Sequence, residues 1–188
     1  MNNYVDFLHE INYFISGDNK YYNFKSFTQN VNGKLFIVGL SGSGKTTIGK
    51  DLAKKFNSEY IKLDLVDRKF RTETAERLDK PKWDKRVNSL TLSYMHDFIN
   101  DIMNKNGRYV LEGIHILYQD HKFFRDKALI ILGTSLLISS IRAYNRNVEM
   151  YHKKYEQATR KNILKQLYID QSDILKKLKD FEKVMEGK

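Results

Sequence analysis

The chain contains no cysteine, which excludes disulfides, thiolate nucleophiles and Cys-based zinc centres. It holds a single proline, Pro81, so only one point along the chain carries the strongest helix breaker. No apolar run reaches the roughly 18–20 residues that a spanning helix requires. The nearest, Ala128 to Ile141, is short and broken by Gly133, Thr134 and Ser135. The first ten residues include Asp6, His9 and Glu10 and lack the basic start and apolar stretch of a signal peptide. Internal repeats, low-complexity tracts and Gly/Ser linkers are also missing. These absences lead to the expectation of a cytoplasmic protein with no membrane partner.

Charge is present in quantity. Thirty-three Lys and Arg face 23 Asp and Glu, a formal +10, and such a balance attracts polyanions, whether nucleotides or nucleic acid. The crowding of Lys, Asn, Ile and Tyr also fits an AT-rich coding bias, so net charge is a weak guide to partners. Hydrophobic residues at 41% and charged residues at 30% match a folded globular chain. At 188 residues the length suits one α/β domain.

Strand and helix patterns alternate. Residues 1–30 read as a helical extension, with Tyr4, Phe7, Leu8, Ile11, Phe14 and Ile15 on one side, followed by an irregular stretch through Asn19 and Asn23. Leu35 to Val38 is a short apolar run, predicting a buried strand. Ile48, Leu52 and Phe56 recur at helical spacing after Lys45. Tyr60 to Leu63 predicts a second strand, and a charged helical stretch then runs to Pro81. Leu92, Met95, Phe98, Ile99 and Ile102 supply the apolar face of a helix over Leu90 to Lys105. Tyr109 to Leu111 and Ala128 to Leu132 are a third and a fourth strand. From Ser135 the chain is helical and charged, and 146–188 is expected to form a lid and C-terminal helical segment of the same domain. Strands separated by helices require crossover connections, hence a mainly parallel sheet flanked by helices.

The strongest chemical signal sits between the first predicted strand and the first predicted helix after it. Gly39-Leu40-Ser41-Gly42-Ser43-Gly44-Lys45-Thr46 has the P-loop spacing of Gly, four residues, Gly-Lys and Ser/Thr. Glycines let the loop curl so that backbone N–H groups converge on phosphate oxygens. The helix that follows aims its positive end at the same anions. Lys45 has the reach for the β- and γ-phosphates, and the Thr46 hydroxyl is a Mg²⁺ ligand of the expected kind. The nucleotide contacts are therefore assigned to Gly39, Ser41, Gly42, Ser43, Gly44, Lys45, Thr46 and Thr47, with ATP and Mg²⁺ as the cofactors.

GLSGSGKTT over Gly39 to Thr47 resembles the P-loops of the small P-loop kinases: nucleoside, nucleotide, adenylylsulfate, gluconate, shikimate and polynucleotide kinases. The resemblance extends over Leu35 to Arg146, with the P-loop its specific part. It implies a three-layer P-loop NTPase fold whose five-stranded parallel sheet carries the P-loop after its first strand. It also implies an acceptor pocket beyond the second strand and an Arg-bearing lid after the fourth. The Asn-Lys-x-Asp motif of GTPases and the Leu-Ser-Gly-Gly-Gln signature of transporter ATPases are absent.

Several residues match positions that the resemblance makes functional. Asp64, nineteen residues after Lys45 at the end of the second predicted strand, stands where these kinases place an acceptor-side carboxylate; the plainer alternative is an N-cap or turn Asp. Arg68 and Arg71 fall where an acidic group of the acceptor is bound, or on a solvated helix face. Glu112, with Gly113 after it, takes the place of a Walker B acid, although that motif usually has Asp. It would hold Mg²⁺ through water or orient the acceptor, and Gly113 would let a ligand approach the backbone. Arg142 and Arg146, four apart on one helix face, match the lid arginines that neutralise the transferred phosphoryl group, with Arg160 a weaker match. Trp83 has the ring for stacking on a base, or serves in a core or hinge. His115 faces the acceptor or packs.

The departures leave the acceptor open. Lys45 is followed by Thr-Thr rather than Gly-Thr, Gly113 stands without a Gly-Gly-Gly run, and an Asp/Glu-Arg-Ser motif is missing. No fifth strand is legible, Tyr168-Ile169 being a poor candidate. The expected activity is ATP-dependent transfer to a small hydroxyl or phosphate acceptor, such as a nucleoside, nucleotide or related metabolite. A nucleic-acid kinase and a non-catalytic nucleotide-binding module are the alternatives.

Overall fold

The computed structural model describes residues 19–149, 151 and 159–187. The helix expected over Tyr4 to Ile15 lies outside them. In chain order the elements are β1 (Lys20–Tyr22), α1 (Phe24–Gln29), β2 (Lys34–Gly39), α2 (Lys45–Lys55), β3 (Glu59–Lys62), α3 (Leu63–Leu78), α4 (Lys85–Asn104), β4 (Tyr109–Glu112), two 3₁₀ turns (Ile114–Tyr118 and His121–Phe124), β5 (Ala128–Leu132), α5 (Leu136–Arg146) and α6 (Arg160–Met185).

The sheet runs in the order β1-β5-β2-β4-β3. Strands β3, β4, β2 and β5 are parallel, as the helices between them demand. The central strands are apolar along their length because both faces are covered. Alternation divides them between two cores: Leu35 and Ile37 of β2, Val110 of β4 and Ile130 of β5 pack on one face with Phe24, Phe27, Ile48 and Leu52 of α1 and α2. Phe36, Val38, Leu111, Leu129 and Ile131 point the other way, onto Met95 and Ile99 of α4 and Leu178 and Phe181 of α6. The α/β architecture is therefore three layers, helices on both faces of a mainly parallel sheet.

Three expectations need correction. The fifth strand is β1, drawn from the segment expected to be irregular, and it pairs antiparallel with β5 through Lys20↔Ile131, Tyr21↔Ile130 and Tyr22↔Leu129. The sheet is thus not wholly parallel, and the P-loop follows its second strand in chain order. A three-residue edge strand, Lys-Tyr-Tyr, carries no apolar alternation that would reveal it. Strand β3 stops at Lys62, and Leu63 opens α3, so Asp64 lies in a first helical turn rather than on a strand end. Leu63 is fully buried, and a carboxylate in the first turn suits the helix dipole. Helix α4 begins at Lys85, five residues ahead of expectation, because the Asp84 side chain caps it by accepting from Arg86 N at 2.8 Å.

Caps and buried polar contacts set the remaining elements. Ser135 caps α5 by accepting from Ile138 N at 3.1 Å. Gln171 of α6, buried, donates to Ser140 Oγ at 3.2 Å and accepts from Ser139 Oγ at 3.4 Å. These bonds fix α5 on α6. Leu178 and Phe181 make α6 part of the main core, so most of the segment after 159 is a structural layer. Among the described residues no helix is long and apolar enough to cross a membrane.

Candidate active site

The parallel strands end together along one edge, at Gly39, Lys62, Glu112 and Leu132. Ligands of open α/β sheets bind beyond that edge. A cleft of about 1190 Å³ opens there, reaching from the loop between β2 and α2 to Trp83 at the far rim.

One end of the cleft is built by that loop. Gly42 (φ +84) and Gly44 (φ +95) adopt left-handed backbone that other residues avoid. A Cβ on Gly42 would fall 2.8 Å from Ser139 O and 3.0 Å from Arg142 Cβ, so glycine is what lets the loop lie against α5. Lys45, buried, donates to the carbonyls of Gly39 and Leu40, both at 2.9 Å. Burial lowers its pKa, opposed by the attraction of Glu112 and Asp64. A bound phosphate would favour the charged ammonium. Ser43 is fully buried with its hydroxyl facing Gly39, so its side chain is set behind the loop. Ser41, Gly42, Gly44, Thr46 and Thr47 line the cleft.

Glu112 closes the floor. It is almost completely buried, and one oxygen, Oε1, accepts from both Thr46 Oγ1 at 2.8 Å and Tyr60 OH at 2.9 Å. Burial and the adjacent Glu112 charge raise the Tyr60 pKa, keeping the phenol a donor. Gly49 makes room for Tyr60: a Cβ there would meet the ring at 2.7 Å. Thr46 and Glu112 form an oxygen-only donor pair beside the loop, which fits Mg²⁺, a hard cation held by one or two protein oxygens plus phosphates and water. Among the described residues no cluster of three His, Asp or Glu offers a fuller cage. Tyr60 was not singled out from the sequence. Only the strand register brings it there: Tyr60↔Val110 lies two residues before the Lys62↔Glu112 pair of the neighbouring strands β3 and β4.

The opposite end of the cleft, around Asp64, is a charged network. The Asp64 side chain is 42% exposed, yet its Oδ1 is buried against His115 Nδ1 at 3.5 Å. The other oxygen is left to the cleft. Burial alone would raise its pKa, but His115, Lys45 and Lys62 outweigh that and hold it below the ordinary carboxylate range. His115 Nε2 lies 3.2 Å from Asp67 Oδ1. Asp67 also accepts two bonds from Arg71, at 3.0 and 3.2 Å. Burial works against its charge; His115 and Arg71 prevail and bring its pKa down to about 2. Burial opposes the His115 charge too, and the two carboxylates override it, raising His115 to about 9. Arg71 further donates to Lys82 O at 3.3 Å and to Asn88 Oδ1, and stacks on Trp83 at 4.7 Å.

The structure places the remaining sequence candidates as follows. Arg146 donates to Ser41 Oγ at 3.2 Å, and Arg142 stands against Gly42; both line the cleft beside the loop. Arg68 is exposed and lines the cleft near Asp64, whereas Arg71 is committed to Asp67. Trp83 is 74% exposed at the rim, not a core residue. Gly113 does not open onto the cleft: its Cα faces α3, where a Cβ would meet Leu63 Cβ at 2.9 Å. Arg160 stacks on Tyr144 at 5.5 Å, outside the cleft lining. Asp67 and Asn88 went unnoticed in the sequence, where they look like ordinary polar helix residues.

No family model and no curated protein matches the chain. Among solved structures it is similar to a shikimate kinase from Acinetobacter baumannii in complex with shikimate, with 15% identity, a TM-score of 0.48, and coverage of 82% of this chain and 83% of that one. It is also similar to a gluconokinase from Sinorhizobium meliloti 1021, with 15% identity, a TM-score of 0.45, and coverage of 77% of this chain and 75% of that one.

Proposed function

We propose that the chain is an ATP-dependent phosphotransferase acting on a small hydroxyl or phosphate acceptor, of the nucleoside, nucleotide or related-metabolite kind. The observation that carries this reading is the sharing of one cleft, at one sheet edge, by the P-loop with Lys45 and Thr46 and by an ionised carboxylate, Asp64. Binding alone needs the first. Transfer to a hydroxyl acceptor draws on the second as well.

Lys45 and the α2 N-terminus hold the triphosphate, while Arg142 and Arg146 stand where charge on the transferred group must be offset. Thr46 and Glu112, the latter directly or through water, would hold Mg²⁺, which would supply positive charge to offset that of the phosphates. Asp64 orients a hydroxyl acceptor through its cleft-facing oxygen. As the acceptor oxygen bonds to the γ-phosphorus, its proton passes to Asp64 and the bond to the β–γ bridging oxygen breaks, releasing ADP. A carboxylate held below the ordinary range is a weak base, so alignment is its larger contribution. Arg68, exposed at this end of the cleft, offers a cation for an acidic group on the acceptor.

ATP turnover against a panel of nucleosides, nucleotides, hydroxy metabolites and oligonucleotides tests the reading. Acceptor-dependent release of ADP is expected; tight nucleotide binding without release for any acceptor would make the chain a binding module. The +10 charge motivates the second reading, a nucleic-acid acceptor. Oligonucleotide binding is expected to be weak and to vanish near physiological salt, where the Debye length is about 8 Å. End-specific binding that survives there would favour the second reading.

A further inference from the structure

His115 has no role in the transfer just described, yet it is well enclosed for a charged group, its side chain only 13% exposed. Its surroundings force its position. Gly113, at φ +152 in a backbone conformation that side-chain-bearing residues rarely adopt, brings the exit of β4 so close to α3 that a Cβ would lie 2.9 Å from Leu63 Cβ and 3.2 Å from Asp64 Oδ1. The first 3₁₀ turn then sets the imidazole edge-on between two carboxylates, with Nδ1 at 3.5 Å from Asp64 and Nε2 at 3.2 Å from Asp67. Asp67 cannot turn away, because Arg71 grips both its oxygens and is itself held by Lys82 O, Asn88 and the Trp83 ring.

We propose that His115 is a positioning residue, whose two ring nitrogens lock Asp64 against Asp67 so that the free Asp64 oxygen faces the acceptor. The inference rests on the reading of Asp64 as the acceptor-side carboxylate. An Asp in a first helical turn has two free side-chain torsions, and nothing else on α3 restrains them. Rotation of Asp64 would leave a nearly buried imidazolium short of one counter-charge, which is costly. The charged groups around the ring are Asp64, Asp67 and Arg71 on α3, with Lys62 at the end of β3 and Lys45 on α2 acting on Asp64. Two flanking carboxylates keep both ring nitrogens protonated at neutral pH. A ring that already carries both protons cannot accept another, so His115 orients Asp64 and does not relay the acceptor proton.

The test combines carboxyl ¹³C NMR titration with kinetics, on wild type and His115→Gln. With burial of Asp64 unrelieved and its neighbouring cation gone, the Asp64 titration is expected to move up by about one unit or more. The same variant should lose about tenfold or more in kcat with the KM for ATP unchanged, and lose little further in an Asp64→Asn background, as coupled residues do. An unmoved Asp64 titration in folded His115→Gln, or equal losses in both backgrounds, would overturn the proposal. Asp67→Asn keeps the ring in place and serves where His115→Gln does not fold. It should bring the His115 titration down from about 9, and an unchanged value would equally sink the lock. The titrations need no turnover, so they judge the lock even where the phosphotransferase reading fails.

Discussion

The two ends of the cleft are made differently. The phosphate end comes from eight consecutive residues, Gly39 to Thr46, and its shape is mostly backbone: two left-handed glycines, a helix N-terminus and one buried lysine. The acceptor end is assembled from side chains on α3, on the turn before α4, on α4 itself and on the turn after β4. It is held by charge rather than by backbone geometry. A local motif can be read and transplanted as a unit. A dispersed ionic network works only if the whole fold delivers its members to one place, and it answers to pH and to single side-chain changes.

The sharpest way to break this contrast is Lys45→Ala. Nothing else in the loop carries a formal positive charge, so nucleotide binding and turnover should both be abolished, read by calorimetry and ADP release with circular dichroism as the check on folding. Near-normal turnover would show that the phosphate end is not where it is placed here.

Asp64→Asn should separate the two ends. It keeps size and some hydrogen bonding but removes charge, so ATP affinity should hardly change while kcat falls by about 10²–10⁴. An unchanged kcat with a hydroxyl acceptor would take Asp64 out of the mechanism and make Glu112 the next candidate. A small loss confined to phosphate acceptors would mean that Asp64 only positions them, since such a group needs no base.

Arg71→Lys is expected to act further out and more weakly. A lysine cannot grip both Asp67 oxygens or stack flat on Trp83. The KM for the acceptor should rise by about tenfold, equivalent to about 1.4 kcal/mol, while the KM for ATP stays put. Equal changes in both would mean that the two ends are not independent.

The smallest effect is on stability. His115 is raised from 6.5 to about 9, so its contribution is fully present below pH 6.5 and is lost as pH rises through 9. Asp67 is lowered from 3.8 to about 2, so its contribution is present above pH 3.8 and lost as pH falls through 2. The denaturation midpoint should therefore decline between pH 6.5 and 9, by a loss on the order of 2 kcal/mol, and His115→Gln should flatten that limb. A limb of unchanged slope in the variant would mean that another group titrates there.

Legibility followed range along the chain. Strands β2, β4 and β5 were visible because burial on both faces gives them short apolar runs, and α2 was visible from its spacing. Strand β1 was not, since its place depends on the edge of β5, where Lys20 pairs with Ile131 far along the chain, and not on any local pattern in Lys-Tyr-Tyr. Asp64 was found by its distance from Lys45, although its setting was misjudged by one element. His115 was noticed and left between two roles, while Tyr60 and Asp67 were missed, because a tyrosine on a strand and an aspartate on a charged helix look ordinary until their partners are known.

By itself the sequence determined the alternation of elements and the glycine-rich loop between β2 and α2. Hydrophobic periodicity and glycine placement are local properties, and they act before the chain has closed on itself. The tertiary structure alone decided that Tyr60 and Thr46 would share one Glu112 oxygen, that Gly113 would seat α3 rather than a ligand, and that Asp64 would be held by His115. Those outcomes depend on distances of a few ångströms between residues far apart in the chain, where burial removes water and makes each charge depend on its neighbours.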